Sequence, residues 1–173
     1  MFLELVAAIV AGVAAAGVVM ILNKLLGGRL AKWLMPVVAG LTMLGVTIAN
    51  EYGWFPRTKA ALPSGFTIAE TVESKAYYRP WTYIVPYVER FAAIDGQTIK
   101  THDERPGWKL AELYLFGRWA PVHKFPILAD CPGQRRAALT DGVGFDEDGG
   151  IEGVNWVPVS APDPILTTIC GTG

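Results

Sequence analysis

Two long apolar runs separated by a short cationic loop constrain the fold of this chain more than any other feature. The first run, Phe2 to Leu22, contains a single charged side chain, Glu4. At about 1.5 Å per residue a helix of that length is roughly 30 Å long, which is the thickness of the hydrocarbon core of a bilayer. The second run, Trp33 to Ala49, contains no charged residue. The two runs predict a hairpin of two transmembrane helices over residues 1–54.

A cleaved signal peptide is the alternative interpretation of the first run. Signal peptides have a positively charged n-region and an apolar core of about 7 to 15 residues before the cleavage site. The first run has neither feature, and a second apolar run follows it at once. We therefore expect the first helix to be inserted and retained.

The loop between the two runs predicts the orientation of the hairpin. It carries Lys24, Arg29 and Lys32 and no acidic residue, whereas only two cations, Arg57 and Lys59, lie just beyond the second run. Short loops rich in Lys and Arg are retained in the cytoplasm. We expect an inner-membrane protein of a Gram-negative-type bacterium with both chain ends outside and residues 65–173 in the periplasm.

Small residues predict close packing between the two helices. Ala8, Gly12 and Ala16 recur at a spacing of four along the first run, and Gly45 and Ala49 have the same spacing in the second. Such ridges let two helix backbones approach each other in lipid, where packing drives association. A short connection then favours an antiparallel pair.

A linker and one domain follow the hairpin. Residues 55–64 form the predicted linker, and its end at Pro63 breaks any continuation of the helix. Residues 65–173 are enough for one ordinary domain and too few for two. The net charge of the chain is −1, and Arg135 and Arg136 are an isolated basic pair that we expect to be solvated. A nucleic-acid partner requires a basic face, so we predict none.

The two cysteines of the chain, Cys131 and Cys170, both fall in this domain. An oxidising compartment favours a disulfide between them. The bridge would close a loop of about 40 residues and contribute roughly 4 kcal/mol. If the domain is cytoplasmic, two unrelated buried thiols are the better interpretation.

The composition of residues 65–173 predicts a small, mostly-β domain that is antiparallel and sandwich-like or barrel-like. Runs rich in β-branched and aromatic residues alternate with turn residues, and no amphipathic helix is expected. Asp95 and Gly96 predict a type I′ hairpin turn, because both of its central positions need positive φ. Extended segments are expected at residues 66–72, 81–94, 97–101, 108–119, 124–129, 137–139, 154–159 and 165–170, with a loop at 141–150.

The two histidines are the first candidates for chemistry. His102 and His123, together with Asp103, Glu104 or Cys131, have side chains of the types that bind metals. Their spacing matches no ligand motif, so the sequence favours ordinary surface histidines.

The acidic segment Asp146-Glu147-Asp148-Gly149-Gly150 is the second candidate, because hard cations bind several carboxylate oxygens. It lacks the alternating ligand positions and the closing Glu of a calcium-binding loop, which favours a solvated turn. The chain contains no Gly-x-Ser-x-Gly, Ser-x-x-Lys or His-Glu-x-x-His sequence and no phosphate-binding glycine motif. We predict no catalytic residue, no metal and no cofactor.

The densest aromatic segment is the best candidate for binding a partner. It contains Tyr77, Tyr78, Arg79, Trp81 and Tyr83, and Tyr, Trp and Arg are enriched at interface hot spots. The alternatives are part of the core of the β domain, a membrane-facing aromatic belt or a contact with the interfacial end of the second helix.

Two functional hypotheses follow from these features. The first is a membrane-anchored accessory protein whose β domain binds a membrane or periplasmic protein, as a subunit or assembly factor of a larger membrane complex. The second is a membrane-anchored periplasmic enzyme or metal-handling domain. The lack of catalytic motifs favours the first.

Overall fold

The structure is a computed structural model that describes residues 2–101, 105–139, 144–145, 151–152, 154–159 and 162–171. The chain divides into two compact units, Met1–Lys59 and Ala60–Gly173. The first unit consists of helices, and the second is built on a β-sheet.

Two long helices form the first unit. Helix α1 spans Phe2–Leu25 and helix α2 spans Leu34–Ala61. Both are long and apolar enough to cross a membrane by length and composition. The connection turns at Gly27 and Gly28, whose φ values of 69° and 78° lie in the left-handed region that glycine adopts without strain.

The two helices approach each other closely at Gly12, as the small-residue ridge predicts. Gly12 is buried, and the side chain of Met43 lies directly over it, so that a Cβ at this position would overlap with Met43. The second predicted ridge is wrong, because Gly45 has no atom within 4 Å of its Cβ position and Ala49 is exposed. The larger Met43 side chain makes the contact from α2, whereas Gly45 and Ala49 lie outside it.

Helix α2 continues beyond its apolar part. It passes through Pro56 and ends at Ala61, so the first residues of the predicted linker are helical. Pro63 and Gly65 follow, and Gly65 has a φ of 111°, which a residue with a side chain rarely adopts. This left-handed residue redirects the chain into the first strand.

The second unit contains a curled, half-barrel antiparallel sheet, so the predicted helix-then-β layout is confirmed. The strands follow the order β1-β2-β4-β5-β6-β9, with β3 paired to β4, and β7 and β8 pair separately. The strands are β1 (Phe66–Ser74), β2 (Tyr87–Asp95), β3 (Lys100–Thr101), β4 (Trp108–Gly117), β5 (His123–Asp130), β6 (Arg135–Ala138), β7 (Gly144–Phe145), β8 (Ile151–Glu152) and β9 (Val157–Pro158).

One face of this sheet carries the core of the domain. Alternate residues of β2, β4 and β5 point to this face, where helix α3 (Pro164–Gly171) packs on them. Burial of each large aliphatic side chain contributes about 1.5–3 kcal/mol. The buried cluster consists of Ala92, Ile94, Ala111, Leu113, Ile127, Ala129, Ile165, Leu166 and Ile169.

The strand predicted over residues 165–170 is wrong, since these residues belong to helix α3. Asp163 caps the helix by accepting a hydrogen bond from the backbone N–H of Leu166 at 2.8 Å. Pro164 takes the first helical position, where its missing N–H costs little. Leu166 and Ile169 then fall on one face and are buried. The capping residues and this burial outweigh the strand preference of the β-branched residues.

The hairpin predicted at Asp95 and Gly96 is also wrong. Asp95 has an extended backbone, and its carboxylate accepts a hydrogen bond from the backbone N–H of Gln97 at 3.0 Å. It thereby caps a short 3-10 helix over Gly96–Thr98. The strand that follows, β3, pairs with β4 and not with β2. Asp can also cap a helix, and the cap is formed here because β3 pairs with β4.

The remaining segments agree in part with the sequence. The stretch predicted at 81–94 is divided, because Pro80–Tyr83 is a 3-10 helix and the strand begins at Tyr87. Only Val157–Pro158 is extended within 154–159. The loop predicted at 141–150 lies mostly outside the described residues. The strands predicted at 66–72, 108–119, 124–129 and 137–139 are confirmed as β1, β4, β5 and β6.

Candidate functional site

The predicted disulfide joins Cys131 to Cys170 across a sequence separation of 39 residues. Cys131 follows the last residue of β5, and Cys170 lies in the last turn of α3. The Cα atoms are 5.9 Å apart, within the usual range for a disulfide. The bridge therefore holds the end of α3 against one end of the sheet.

An ion pair with a buried carboxylate supports the same end of the sheet. Asp130 is 4% exposed, and its carboxylate accepts hydrogen bonds from Arg135 Nε at 2.6 Å and from the backbone N–H of Gly133 at 3.0 Å. These bonds hold the turn, in which Gln134 has a φ of 46°. The Arg135 side chain is 42% exposed, as expected for a solvated residue, and the turn also places its guanidinium against a buried carboxylate.

Helix α3 is held at both ends by charged groups of the sheet. Arg136 lies 3.3 Å from the capping carboxylate of Asp163, so the second arginine of the pair is also engaged. At the other end, Lys109 Nζ donates to the backbone carbonyls of Ile169 and Cys170, each at 3.3 Å. A cation is stabilising there, since the last carbonyls of a helix carry partial negative charge.

Arginine and tryptophan alternate beside this turn. Arg105 lies over the ring of Trp108 at 4.8 Å, the rings of Trp108 and Trp156 meet edge to face at 5.2 Å, and Arg135 lies over Trp156 at 4.6 Å. Each cation–π contact is worth about 0.5–1 kcal/mol when exposed and more when desolvated. These four side chains contact one another, and both tryptophans are part-buried. We call this region, with the disulfide, the locked end.

The opposite end of the sheet carries the aromatic segment predicted to bind a partner. Residues 75–86 connect β1 to β2, and a single buried hydroxyl braces this loop. Thr82 has no exposed surface, and its Oγ1 donates to the carbonyl of Arg79 at 2.7 Å and accepts from the backbone N–H of Ala76 at 3.0 Å. The loop is therefore held by internal hydrogen bonds, although most of its apolar side chains are exposed.

The side chains of this loop are exposed to an unusual degree for apolar residues. Tyr77 is 87% exposed and Ile84 is 85% exposed, and Tyr78, Tyr83 and Val85 are each more than half exposed. The prediction that this segment belongs to the core therefore does not hold for the three tyrosines. A cluster of exposed apolar groups on a braced loop is the usual property of an interaction surface.

Sheet topology brings a second exposed group to the same end. Ser74 pairs with Tyr87 at the end of β1, and Arg90 pairs with Gly117 at the end of β4. The loop 118–122 between β4 and β5 therefore lies at the same end of the sheet as the loop 75–86. Its Trp119 is 51% exposed and its Val122 is also exposed. We define the rim as the exposed side chains of both loops, namely Tyr77, Tyr78, Tyr83, Ile84, Val85, Trp119 and Val122.

Two arginines of the rim loops lie against aromatic rings. The Arg79 guanidinium is 5.1 Å from the ring centre of Tyr78 and 5.8 Å from that of Tyr87. Arg118 lies 4.7 Å from the ring centre of Trp119. The rings hold the planar guanidinium groups in place. These groups therefore lose less conformational freedom when they bind.

Trp81 differs from its neighbours in the predicted segment. It is part-buried, and its indole N–H is buried with no hydrogen-bond acceptor among the described residues. Because its indole is part-buried, Trp81 contributes less to the exposed surface of the loop than its neighbours do. The sequence did not single out Ile84, Val85, Trp119 or Val122. The available signal was apolar residues beside Pro86 and Pro121, which interrupt strands.

A polar group lies on the sheet between the two ends. Lys124 Nζ is 2.7 Å from Glu112 Oε2, and the hydroxyl of Tyr114 donates to the same oxygen at 3.1 Å. The hydrogen bond from Lys124 lowers the pKa of Glu112 from 4.5. The same hydrogen bond raises the pKa of Lys124 from 10.5. Both groups are substantially exposed, so their contribution to stability is small.

Metal binding finds no additional support in the part of the chain that the structure describes. There, no three His, Cys, Asp or Glu residues form a group that could hold a metal ion. His123 is exposed at the start of β5, and Cys131 is in the disulfide. His102, Asp103 and Glu104 lie outside the described residues, as does the acidic segment 146–150, so these sites stay predictions.

Comparison with known proteins does not assign the chain to a group. It matches no protein-family model, and neither the curated proteins nor the solved structures include a match.

Proposed function

We propose that this protein is a membrane-anchored interaction protein whose β domain binds a protein partner through the rim. The observation that carries the proposal is the grouping of seven exposed apolar side chains from two loops at one end of the sheet. Isolated exposed apolar residues are normal, whereas a group of them on one solvent-exposed face indicates an interaction site.

The anchor in this proposal is the pair α1 and α2. Their length and apolar composition support two membrane crossings. The cations Lys24, Arg29 and Lys32 in the connecting loop support a cytoplasmic location of that loop. The β domain is then in the periplasm, at the inner membrane of a Gram-negative-type bacterium. An oxidising compartment is also where a disulfide such as Cys131–Cys170 persists.

In this role the protein is an accessory subunit or assembly factor of a larger membrane complex. The braced loop supports such a role, because a surface that is already ordered loses little conformational entropy on binding. Tyr and Trp supply large contact areas with few rotatable bonds, and such residues provide most of the binding free energy at interfaces.

Co-purification with matched variants tests the proposal. The tagged full chain is cross-linked in cells, extracted in mild detergent and compared with a variant carrying Tyr77→Ser and Ile84→Ser. The control is Val157→Ser, since Val157 is 52% exposed on β9, away from the rim loops. We expect a defined set of proteins to be lost from the double variant and kept by the control. Retention of the whole set by the double variant would overturn the rim as the contact surface.

Orientation is tested separately with reporters fused after Gly173. A reporter that is active only in the periplasm is expected to work, and one that is active only in the cytoplasm is expected to be silent. The opposite pattern contradicts the periplasmic location of the domain.

A further inference from the structure

We infer that the surface which the rim binds is an acidic protein surface, with carboxylates placed around an apolar patch. This inference rests on the proposed function and adds the chemistry of the partner. It is carried by the charges of the two rim loops and by the geometry of their arginines.

The rim loops carry cations and no acid. Residues 75–86 include Lys75 and Arg79, residues 118–122 include Arg118, and neither loop contains Asp or Glu. The nearest acidic residues of the adjoining strands are Glu73 and Glu89. The seven apolar side chains are thus accompanied by three positive charges in the loops themselves. Complementary charge steers the encounter and disfavours basic partners.

Arginine is the cation that best matches the geometry of a carboxylate. The Arg79 guanidinium lies 5.1 Å and 5.8 Å from the ring centres of Tyr78 and Tyr87, and Arg118, whose Nε is buried, lies over Trp119. Guanidinium groups bind carboxylates through two parallel hydrogen bonds, and a stacked guanidinium gives up less freedom in forming them. Arginine beside exposed tyrosine and tryptophan is also the composition of interface hot spots.

The number of charges favours a protein over an anionic bilayer. Electrostatic docking to anionic lipid uses clusters of about 4–8 Lys and Arg residues, because each strengthens binding only about fivefold near the surface. The rim loops carry three. A protein interface needs fewer, since a few aromatic and arginine anchors provide most of its affinity.

Site-specific cross-linking with a charge swap tests the inference. A photoreactive phenylalanine analogue replaces Tyr77 in the full chain, and the cross-linked partner residue is identified by mass spectrometry. We expect acidic residues next to the cross-link. Arg79→Glu should lower the cross-linking yield about thirtyfold, as expected for loss of a hot spot. Changing the neighbouring partner acid to lysine should then restore the yield in the Arg79→Glu protein.

Lys100→Glu is the matched control, because Lys100 is an exposed cation on β3, outside the rim loops. It should leave the yield unchanged. If Arg79→Glu fails to fold, Lys75→Glu provides the same charge reversal at an exposed residue of the same loop. Its yield should fall, and the wild-type yield should fall with rising salt.

Three results would overturn the inference. One is a cross-linked segment without acidic residues, and another is a charge swap that restores nothing. The third is rim-dependent binding of the chain, held in phosphatidylcholine nanodiscs, to vesicles containing phosphatidylglycerol. If Tyr77→Ser with Ile84→Ser loses the partner while Arg79→Glu keeps it, the acidic surface fails and the proposed function stands. If neither variant loses the partner, the acidic surface and the proposed function both fail.

Discussion

The locked end and the rim use the same residue types for different purposes. Each end places arginines on aromatic rings at centre distances of about 5 Å, as Arg135 does on Trp156 and Arg118 does on Trp119. At the locked end the tryptophans are part-buried, and a buried carboxylate and a disulfide complete the cluster. At the rim, Trp119 and the tyrosines are exposed. Composition thus identifies a site of strong contacts, and burial decides whether those contacts are internal.

The two ends lie at opposite ends of the same strands. Strand β4 is 10 residues long. It begins at Trp108 in the locked end and ends at Gly117 beside the rim. Its length is therefore roughly 30 Å. A change at one end should leave the other unaffected, since residues so far apart with no shared contacts contribute additively to stability.

The largest expected effect is the loss of the disulfide. Cys170→Ser opens the loop of 39 residues and should lower the free energy of unfolding by about 4 kcal/mol in the chain-entropy model. The measurement is denaturant unfolding of the full chain in detergent, followed by tryptophan fluorescence. Wild-type protein in reductant should show the same loss.

This experiment also tests the independence of the two ends. At a temperature where the variant is still folded, its cross-linking from the rim should equal that of the wild type. An unchanged unfolding midpoint would show that the locked end does not depend on the bridge.

A smaller effect is expected when the brace of the rim is removed. Thr82→Val keeps the shape of a fully buried side chain and deletes the hydroxyl that bonds to Arg79 and Ala76. Loss of these bonds should cost about 1–3 kcal/mol, because the part-buried backbone N–H of Ala76 loses this acceptor, although the Arg79 carbonyl still accepts from the backbone N–H of Thr82 at 2.9 Å. Chymotrypsin should also cleave faster after Tyr77 and Tyr78. Thr82→Ser retains the hydroxyl and is the control.

If Thr82→Val is cleaved no faster than wild type, the hydroxyl does not hold the loop. Faster cleavage in Thr82→Ser than in Thr82→Val would point instead to the loss of the methyl group.

The smallest effect is expected between the two ends, at Glu112. Its pKa in the folded protein is lowered by the hydrogen bond from Lys124. The pair therefore adds stability above the unfolded pKa, near 4.5, and that contribution is lost as the pH falls through the folded pKa. Glu112→Gln should remove this part of the acid dependence, as measured by unfolding at pH values on both sides of 4.5. Lys124→Met should remove most of it, since the hydrogen bond from Tyr114 also lowers the pKa of Glu112.

An acid dependence that is unchanged in both variants would mean that the pair contributes nothing. The stability of the Glu112 and Lys124 variants can be compared with that of the rim variants. Exposed substitutions such as those in the rim usually change stability by less than about 0.5 kcal/mol.

The composition of a single segment was enough to predict some of the helices and strands. The apolar runs around Gly12 and Met43 contain so few charges that a long helix follows directly, and β4 and β5 have the composition of strands. Helix α3 was missed although its cap was visible in the sequence. Asp163 followed by Pro164 is a strong start signal, but eight residues rich in Ile and Thr resemble a strand when burial is unknown.

The sequence by itself determined the two apolar helices, the β class of the second unit and the only partner within the chain that each of its two cysteines could have, because each depends on composition or on a count. Only the tertiary structure decided that Arg135 is paired with a buried carboxylate. It also decided that Trp119 lies at the same end of the sheet as Tyr77, although more than 40 residues separate them in the chain. Strand register brings such residues to one end, and register depends on long-range pairing that no local pattern contains.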